Sequence, residues 1–170
     1  MGYIIETEHI RVRRFETTDA ERLFEYHRDD EMKWFPNEIY ADIDEARDAI
    51  VFFSECADKK IMPYVLGAEL KETGELIGDI GISDEGNGAE IGYVICREHR
   101  GKGYACELVG AMQRYACNVF GTETMYGRVV KGNDASARVL EKSGFIFVGE
   151  EYGADDDPHG NGMLVYRKDI

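Results

Sequence analysis

The stretch Arg97-Glu98-His99-Arg100-Gly101-Lys102-Gly103-Tyr104-Ala105 decides how this chain is read. It stands where an apolar run, Ala89 to Cys96, gives way to an amphipathic one, with Ala105, Leu108, Val109, Met112, Ala116 and Val119 at helical spacing. The spacing predicts a strand, a tight turn and a long helix. Glycines let such a turn aim several free N–H groups at one point, and the helix dipole adds partial positive charge, so the geometry suits a phosphate or pyrophosphate. Arg97, Arg100 and Lys102 add local cations to a chain whose formal net charge is −14. The same stretch also reads as a turn that uses glycine for shape alone and leaves three solvated cations. A Walker loop is excluded, since no G-x-x-x-x-G-K-[ST] occurs, and a G-x-G-x-x-G fingerprint fails because Cys106 stands at the third glycine.

Working outward, His9 to Phe15 alternates as a strand does, and Thr18 with Glu21 forms a capping-box signature for a helix through about His27. Asp42 and Glu45 repeat the arrangement before a second helix, whose Ala46, Ala49, Ile50, Phe53, Cys56 and Ala57 share one face. The period then becomes that of strands over Tyr64 to Leu70, Leu76 to Ser83 and Ala89 to Cys96, an antiparallel meander. Beyond the long helix come a strand at Thr124 to Val130, a short helix at Asn133 to Ser143 closed by Gly144, and strands at Phe145 to Tyr152 and Met163 to Lys168. The order predicts one mixed α/β domain spanning 1–170, with a mostly antiparallel sheet of about seven strands flanked by about four helices.

Composition narrows the function. With 44% hydrophobic residues, 3 prolines and no low-complexity tract, the chain reads as globular. It shows no signal-peptide pattern and no run near the roughly 18 apolar residues that cross a bilayer, so a soluble, cytoplasmic protein is expected. The acidic balance argues against nucleic acid or an anionic membrane as partner and favours a cationic small molecule or peptide. Cys56, Cys96, Cys106 and Cys117 form no CxxC pair and have no histidine at zinc spacing, which predicts reduced thiols and no metal. Monomer and homodimer are both compatible with this pattern.

Three motifs in order carry a resemblance. Arg100-Gly101-Lys102-Gly103-Tyr104-Ala105 resembles the R-x-x-G-x-A pyrophosphate loop of the GNAT superfamily of N-acyltransferases, and Ala89-Glu90-Ile91-Gly92-Tyr93-Val94-Ile95 resembles that family's central strand. The segment Asn133 to Phe145 is similar to the N-x-x-S…E-K-x-G-F helix of the branch that acetylates protein N-termini, including ribosomal-protein alanine acetyltransferases of the RimJ and RimL type. With a weaker R-x-R start at Arg11 and Arg13, the resemblance spans roughly His9 to Lys168. It implies acetyl-CoA as cosubstrate and a primary amine, either a peptide N-terminus or a small cationic amine, as acceptor, joined by direct attack in a ternary complex. It also implies a sheet splayed in the middle.

The resemblance further implies that Arg100, Gly101, Lys102, Gly103, Tyr104 and Ala105 hold the pyrophosphate, and that the pantetheine arm lies along Val94, Ile95 and Cys96. A backbone N–H near Val94 or Ile95 would polarise the thioester. Asn133 would bond the cofactor arm or the central strand, although as a helix cap it has a purely structural reading. Ser136 would place a hydroxyl near the sulfur, although serine is common in a first helical turn. Many relatives carry a tyrosine seven residues after this asparagine to protonate the thiolate, and Leu140 stands there instead. That departure keeps a second class of function open, a non-catalytic acyl-CoA sensor.

The acceptor must attack as a neutral amine. An α-amino group with a pKa near 8 is about a tenth neutral at pH 7, whereas a lysine near 10.4 is neutral to well under one part in a thousand. Glu90 is the first candidate to take the proton through a water and His159 the next. Glu90 also reads as a partner for a nearby cation, and His159 as an exposed loop residue. Two acidic loops, Asp29-Asp30-Glu31 before Trp34 and Phe35, and Asp155-Asp156-Asp157-Pro158, would hold a cationic acceptor if they converge. Each also reads as a solvated turn.

Overall fold

The computed structural model describes residues 2–28, 30–35 and 38–170, with the backbone alone at Asp30 and Glu31. Eight strands form one sheet in the order β1-β2-β3-β4-β5-β6-β8-β7. They are β1 (Ile5–Glu6), β2 (Ile10–Arg13), β3 (Tyr64–Leu70), β4 (Leu76–Asp84), β5 (Ala89–Ile95), β6 (Thr124–Val130), β7 (Ile146–Glu151) and β8 (Met163–Asp169). Four helices, α1 (Ala20–Tyr26), α2 (Ile43–Lys59), α3 (Tyr104–Phe120) and α4 (Asp134–Lys142), cover its faces. The expected mixed α/β architecture with a mostly antiparallel sheet is what the chain adopts; the two-residue β1, paired with β2 through Ile5 and Val12, is too short to leave a periodic trace.

Each face of the sheet has its own core, because successive strand residues point to opposite sides. Ile91 and Ile95 of β5 face Leu108, Val109, Met112 and Ala116 of α3 together with Leu140 of α4. Val94 and Cys96 face Leu23 and Tyr26 of α1 and Ala46 and Ile50 of α2. Val119 departs from the expected face of α3 and is 39% exposed. Phe120 packs there instead, 5.0 Å from the Tyr64 ring.

The Asp42 cap is formed as expected, its Oδ1 accepting from Glu45 N at 2.9 Å. The first cap lies elsewhere: Glu16 and Asp19 close a capping box over a 3-10 turn at Thr17–Asp19, and Thr18 sits inside it. Asp19 wins because it has a second task. Its carboxylate receives Arg13 Nη1 at 2.7 Å and Nη2 at 3.1 Å, while Arg13 Nε donates to Glu69 at 2.8 Å, all within the buried interior. Asp19→Ala would leave a buried guanidinium half-compensated and is expected to cost about 3 kcal/mol. Urea unfolding checks this, and a loss below about 1 kcal/mol would show that water replaces the carboxylate.

The sheet splays at its middle. β5 and β6 are its parallel neighbours, and their register holds only at Ala89 with Met125 and Glu90 with Tyr126. Beyond Glu90 the two strands part, leaving one edge of β5 without a strand partner from Ile91 onward.

Candidate active site

The turn after β5 carries two glycines in left-handed conformations. Arg97–His99 makes a 3-10 turn, and Gly101 and Gly103 then take φ values of +73° and +86°, which side-chain-bearing residues rarely adopt. Gly103 caps α3 without any side-chain hydrogen bond. Glu107, the acid of the first helical turn, instead accepts from His9 N at 2.8 Å and approaches His9 Nδ1 at 3.0 Å. A Cβ at Gly101 or Gly103 would meet nothing within 4 Å, so the side of each glycine where a side chain would stand is open. Arg100 turns back, its Nε donating to Ile95 O at 2.8 Å, and ties the turn to the strand. Lys102 and Arg97 are exposed.

From this turn a groove of about 360 Å³ runs between α3, α4 and the free edge of β5, lined by Val94, Ile95, Arg100, Gly101, Gly103, Tyr104, Ala105, Asn133 and Ser136. Of the residues expected to hold a cofactor, Lys102 and Cys96 do not line it. Cys96 is fully buried, its N–H bonds Ile77 O at 2.8 Å, and burial pushes its thiol up to about 12. That bond fixes the backbone phase of β5. Val94 O also points towards β4, since a Cβ on Gly78 would lie 2.0 Å from it. Alternation then turns the backbone groups of Tyr93 and Ile95 to the open edge.

Asn133 caps α4, with Oδ1 accepting from Ser136 N at 3.3 Å, and it also lines the groove, so the cap and the lining position coincide in one residue. The Ser136 hydroxyl lies 3.1 Å from the Tyr93 OH, which also donates to Ser136 O at 3.2 Å. Burial pushes the Tyr93 phenol up to about 12.

Ser136 and Asn133 open on their other side into a chamber of about 260 Å³ that includes Trp34, Phe35, Glu38, Glu90, Arg128 and Asp156. Glu90 and Gly92 continue it to a further chamber of about 240 Å³ over the α1–α2 face, walled by His27, Tyr40, Phe53 and Asp79. Arg128 gathers three carboxylates, with Glu90 at 2.8 Å, Glu85 at 2.9 Å and Glu151 at 2.8 Å. Glu90 is therefore a cation's partner and a chamber-lining carboxylate at once. Burial pushes its pKa up to about 7; Arg128 opposes that rise and the Glu85 carboxylate reinforces it. His159 is exposed on the β7–β8 loop, its ring edge-on to Trp34 at 5.9 Å.

The two acidic loops are described only in part. Asp29 and the side chains of Asp30 and Glu31 lie outside the described residues, but Trp34 and Phe35 share a chamber with Asp156. Asp157 is spent on its own loop, accepting from the N–H groups of His159, Gly160 and Gly162 at 3.2, 3.1 and 2.7 Å.

Sequence reasoning missed Tyr93, Arg128 and the buried set around Asp79, whose Oδ2 takes Tyr26 OH at 2.7 Å and lies 3.2 Å from His27 Nε2. Burial alone would lower the His27 pKa, but Asp79 overrides it and the net shift is upward. A carboxylate in the middle of the apolar run Leu76 to Ile82 was the available signal. Among the described residues, Glu75, Glu98 and His99 bring ligand atoms within 4.8 Å of one another, yet the Arg22 guanidinium already bridges both glutamates. A further cation there would face that charge.

No helix among the described residues is long and apolar enough to cross a membrane. Residues 9–146 match the family model of the acetyltransferase (GNAT) domain. Over 146 residues the chain is 32% identical to the uncharacterized N-acetyltransferase YoaA of Bacillus subtilis (strain 168), covering 84% of this chain and 82% of that protein. The crystal structure of a GNAT-family acetyltransferase from Bacillus anthracis superposes with a TM-score of 0.80 at 26% identity, covering 97% of each chain. RimL, a ribosomal α-N-protein acetyltransferase solved in complex with coenzyme A, shares the fold with a TM-score of 0.81 at 14% identity, over 99% of this chain and 98% of that one.

Proposed function

This chain belongs to the GNAT acetyltransferase family, and from that premise we propose that it moves an acetyl group from acetyl-CoA to a primary amine by direct attack in a ternary complex. The observation that carries the reading is the parting of β5 from β6 beyond Glu90, which leaves a free strand edge leading to the turn of Gly101 and Gly103, where α3 has no side-chain cap. A diphosphate suits that turn because two glycines with open space on their Cβ side stand at the N-terminus of α3, where the helix dipole favours negative charge. Arg100, Tyr104 and Ala105 line the same end of the groove. The cosubstrate supplies an activated acetyl thioester; everything else falls to the chain.

The free edge of β5 receives the pantetheine arm as a further strand would, with Ile95 N–H turned to it and Val94 lining it. A donor at that edge stabilises the oxyanion of the attacked carbonyl, which in other enzymes is a contribution of roughly 3 kcal/mol. Glu90 takes the proton of the amine through a water, its raised pKa suiting a base that works near neutrality. Ser136, at the junction of groove and chamber, faces the departing sulfur. Acidic and aromatic walls from Glu38, Trp34, Phe35 and Asp156 favour a cationic acceptor, either a protein N-terminus or a small amine.

A thiol-release assay with acetyl-CoA against peptides, polyamines and aminoglycosides tests this. Release that depends on the added amine is expected; tight coenzyme A binding without turnover across the panel would mark a sensor instead. Ser136→Ala is expected to lower kcat about tenfold while leaving cofactor affinity within about threefold, the size of one lost hydrogen bond to a charged group. An unchanged kcat would remove Ser136 from the mechanism.

A further inference from the structure

The position on α4 seven residues after Asn133 is sealed. Leu140 is 1% exposed, and its side chain lies against Gly127, where an added Cβ would come within 2.5 Å of Leu140 Cδ1. No proton donor can serve the groove from there. A phenol is nevertheless present, and it comes from the sheet. Tyr93 on β5 lines the groove and sets its OH 3.1 Å from Ser136 Oγ. We infer that Tyr93 is a positioning residue for the departing thiolate, acting through Ser136, an inference that rests on the transferase reading above.

A serine hydroxyl carries one proton and rotates freely. To donate to a sulfur it must turn that proton into the groove, and its oxygen then needs a donor of its own. Asn133 fixes only the backbone of Ser136, through the 3.3 Å cap bond. Tyr93 OH is within reach of both Ser136 oxygens, so it can release the carbonyl and donate to Oγ as the thiolate forms. The chain of two hydroxyls then polarises cooperatively towards the sulfur. Burial keeps the phenol protonated, with its pKa pushed up to about 12, so it remains a donor throughout the working range.

Atoms balance without a net gift from either hydroxyl. The amine nitrogen bonds the carbonyl carbon, the carbon–sulfur bond breaks and its electron pair stays on sulfur. The proton that nitrogen gives up through Glu90 and water is the one the thiol finally gains. Ser136 and Tyr93 stabilise the sulfur's charge while this happens and end as they began.

A double-mutant cycle over the unmodified chain, Tyr93→Phe, Ser136→Ala and the double variant tests the inference. Tyr93→Phe is expected to lower kcat about tenfold with the KM for acetyl-CoA within about threefold, and to add no further loss in the Ser136→Ala background, as groups acting as one unit do. Losses that multiply would overturn it, as would unchanged turnover or a selective loss of coenzyme A binding in Tyr93→Phe. No turnover by the unmodified chain with any amine, despite normal coenzyme A binding by calorimetry, would instead overturn the transferase reading on which it rests.

Discussion

Gly103→Asp is expected to weaken coenzyme A binding at least about 100-fold, because it sets a carboxylate against a diphosphate where a single pair of like charges at 4 Å costs about 4 kcal/mol at the dielectric of a protein surface. Space is not the obstacle, since a Cβ there meets nothing of the protein within 4 Å. The φ of +86° is a second cost, and Gly103→Asn isolates it, because asparagine tolerates this conformation and carries no charge. Calorimetry on both variants should therefore show a gap of at least about tenfold between Asp and Asn, closing as salt rises. Normal affinity in Gly103→Asp would refute the placement of the diphosphate on this turn.

That turn was legible because everything it needs is local. Strand end, paired glycines and helix start are contiguous, so spacing alone could predict them, as it did Asp42 and the Ala46 to Ala57 face of α2. The misplaced first cap is instructive: Thr18 with Glu21 has the right local chemistry, but Asp19 is claimed by Arg13, which is itself held by Glu69, 56 residues away from that arginine. Long-range pairing of buried charge overrode a local preference. The same distance hid Tyr93, whose partner Ser136 is 43 residues away, and Asp79, which meets Tyr26 across 53. Periodicity reports which face a residue takes, not which opposite face it meets. Asn133 shows the complementary case, in which the structural and functional readings of one residue are both compatible with where it stands.

The electrostatics of the chambers follow a similar logic. Among the described residues Arg128 is the single arginine in their walls, and it is shared by three carboxylates, so it holds Glu90 in place without neutralising the neighbourhood. Asp156 adds to the surplus, whereas burial pushes the Glu38 carboxyl up to about 7, so it contributes only part of a charge near neutrality. A net −14 spread over the surface would only aid solubility, whereas carboxylates gathered beside Trp34 and Phe35 give an approaching amine a local attraction that salt screens less.

Glu90→Gln separates the two roles of that residue. Glutamine keeps an oxygen for Arg128, which retains Glu85 and Glu151, so the variant should fold and bind coenzyme A normally. As a base it is dead, and kcat/KM for the amine is expected to fall between about 100- and 10,000-fold. The pH dependence carries the sharper signature. A carboxyl titrating at about 7 is protonated and inactive below that pH, so kcat/KM, taken against the neutral fraction of the amine, should drop about tenfold per unit beneath pH 7 and level above it. Glu90→Gln should abolish this limb and leave a flat profile. Were Glu90 only a partner for Arg128, the variant would keep both the rate and the slope, and the proton would have to leave by another route.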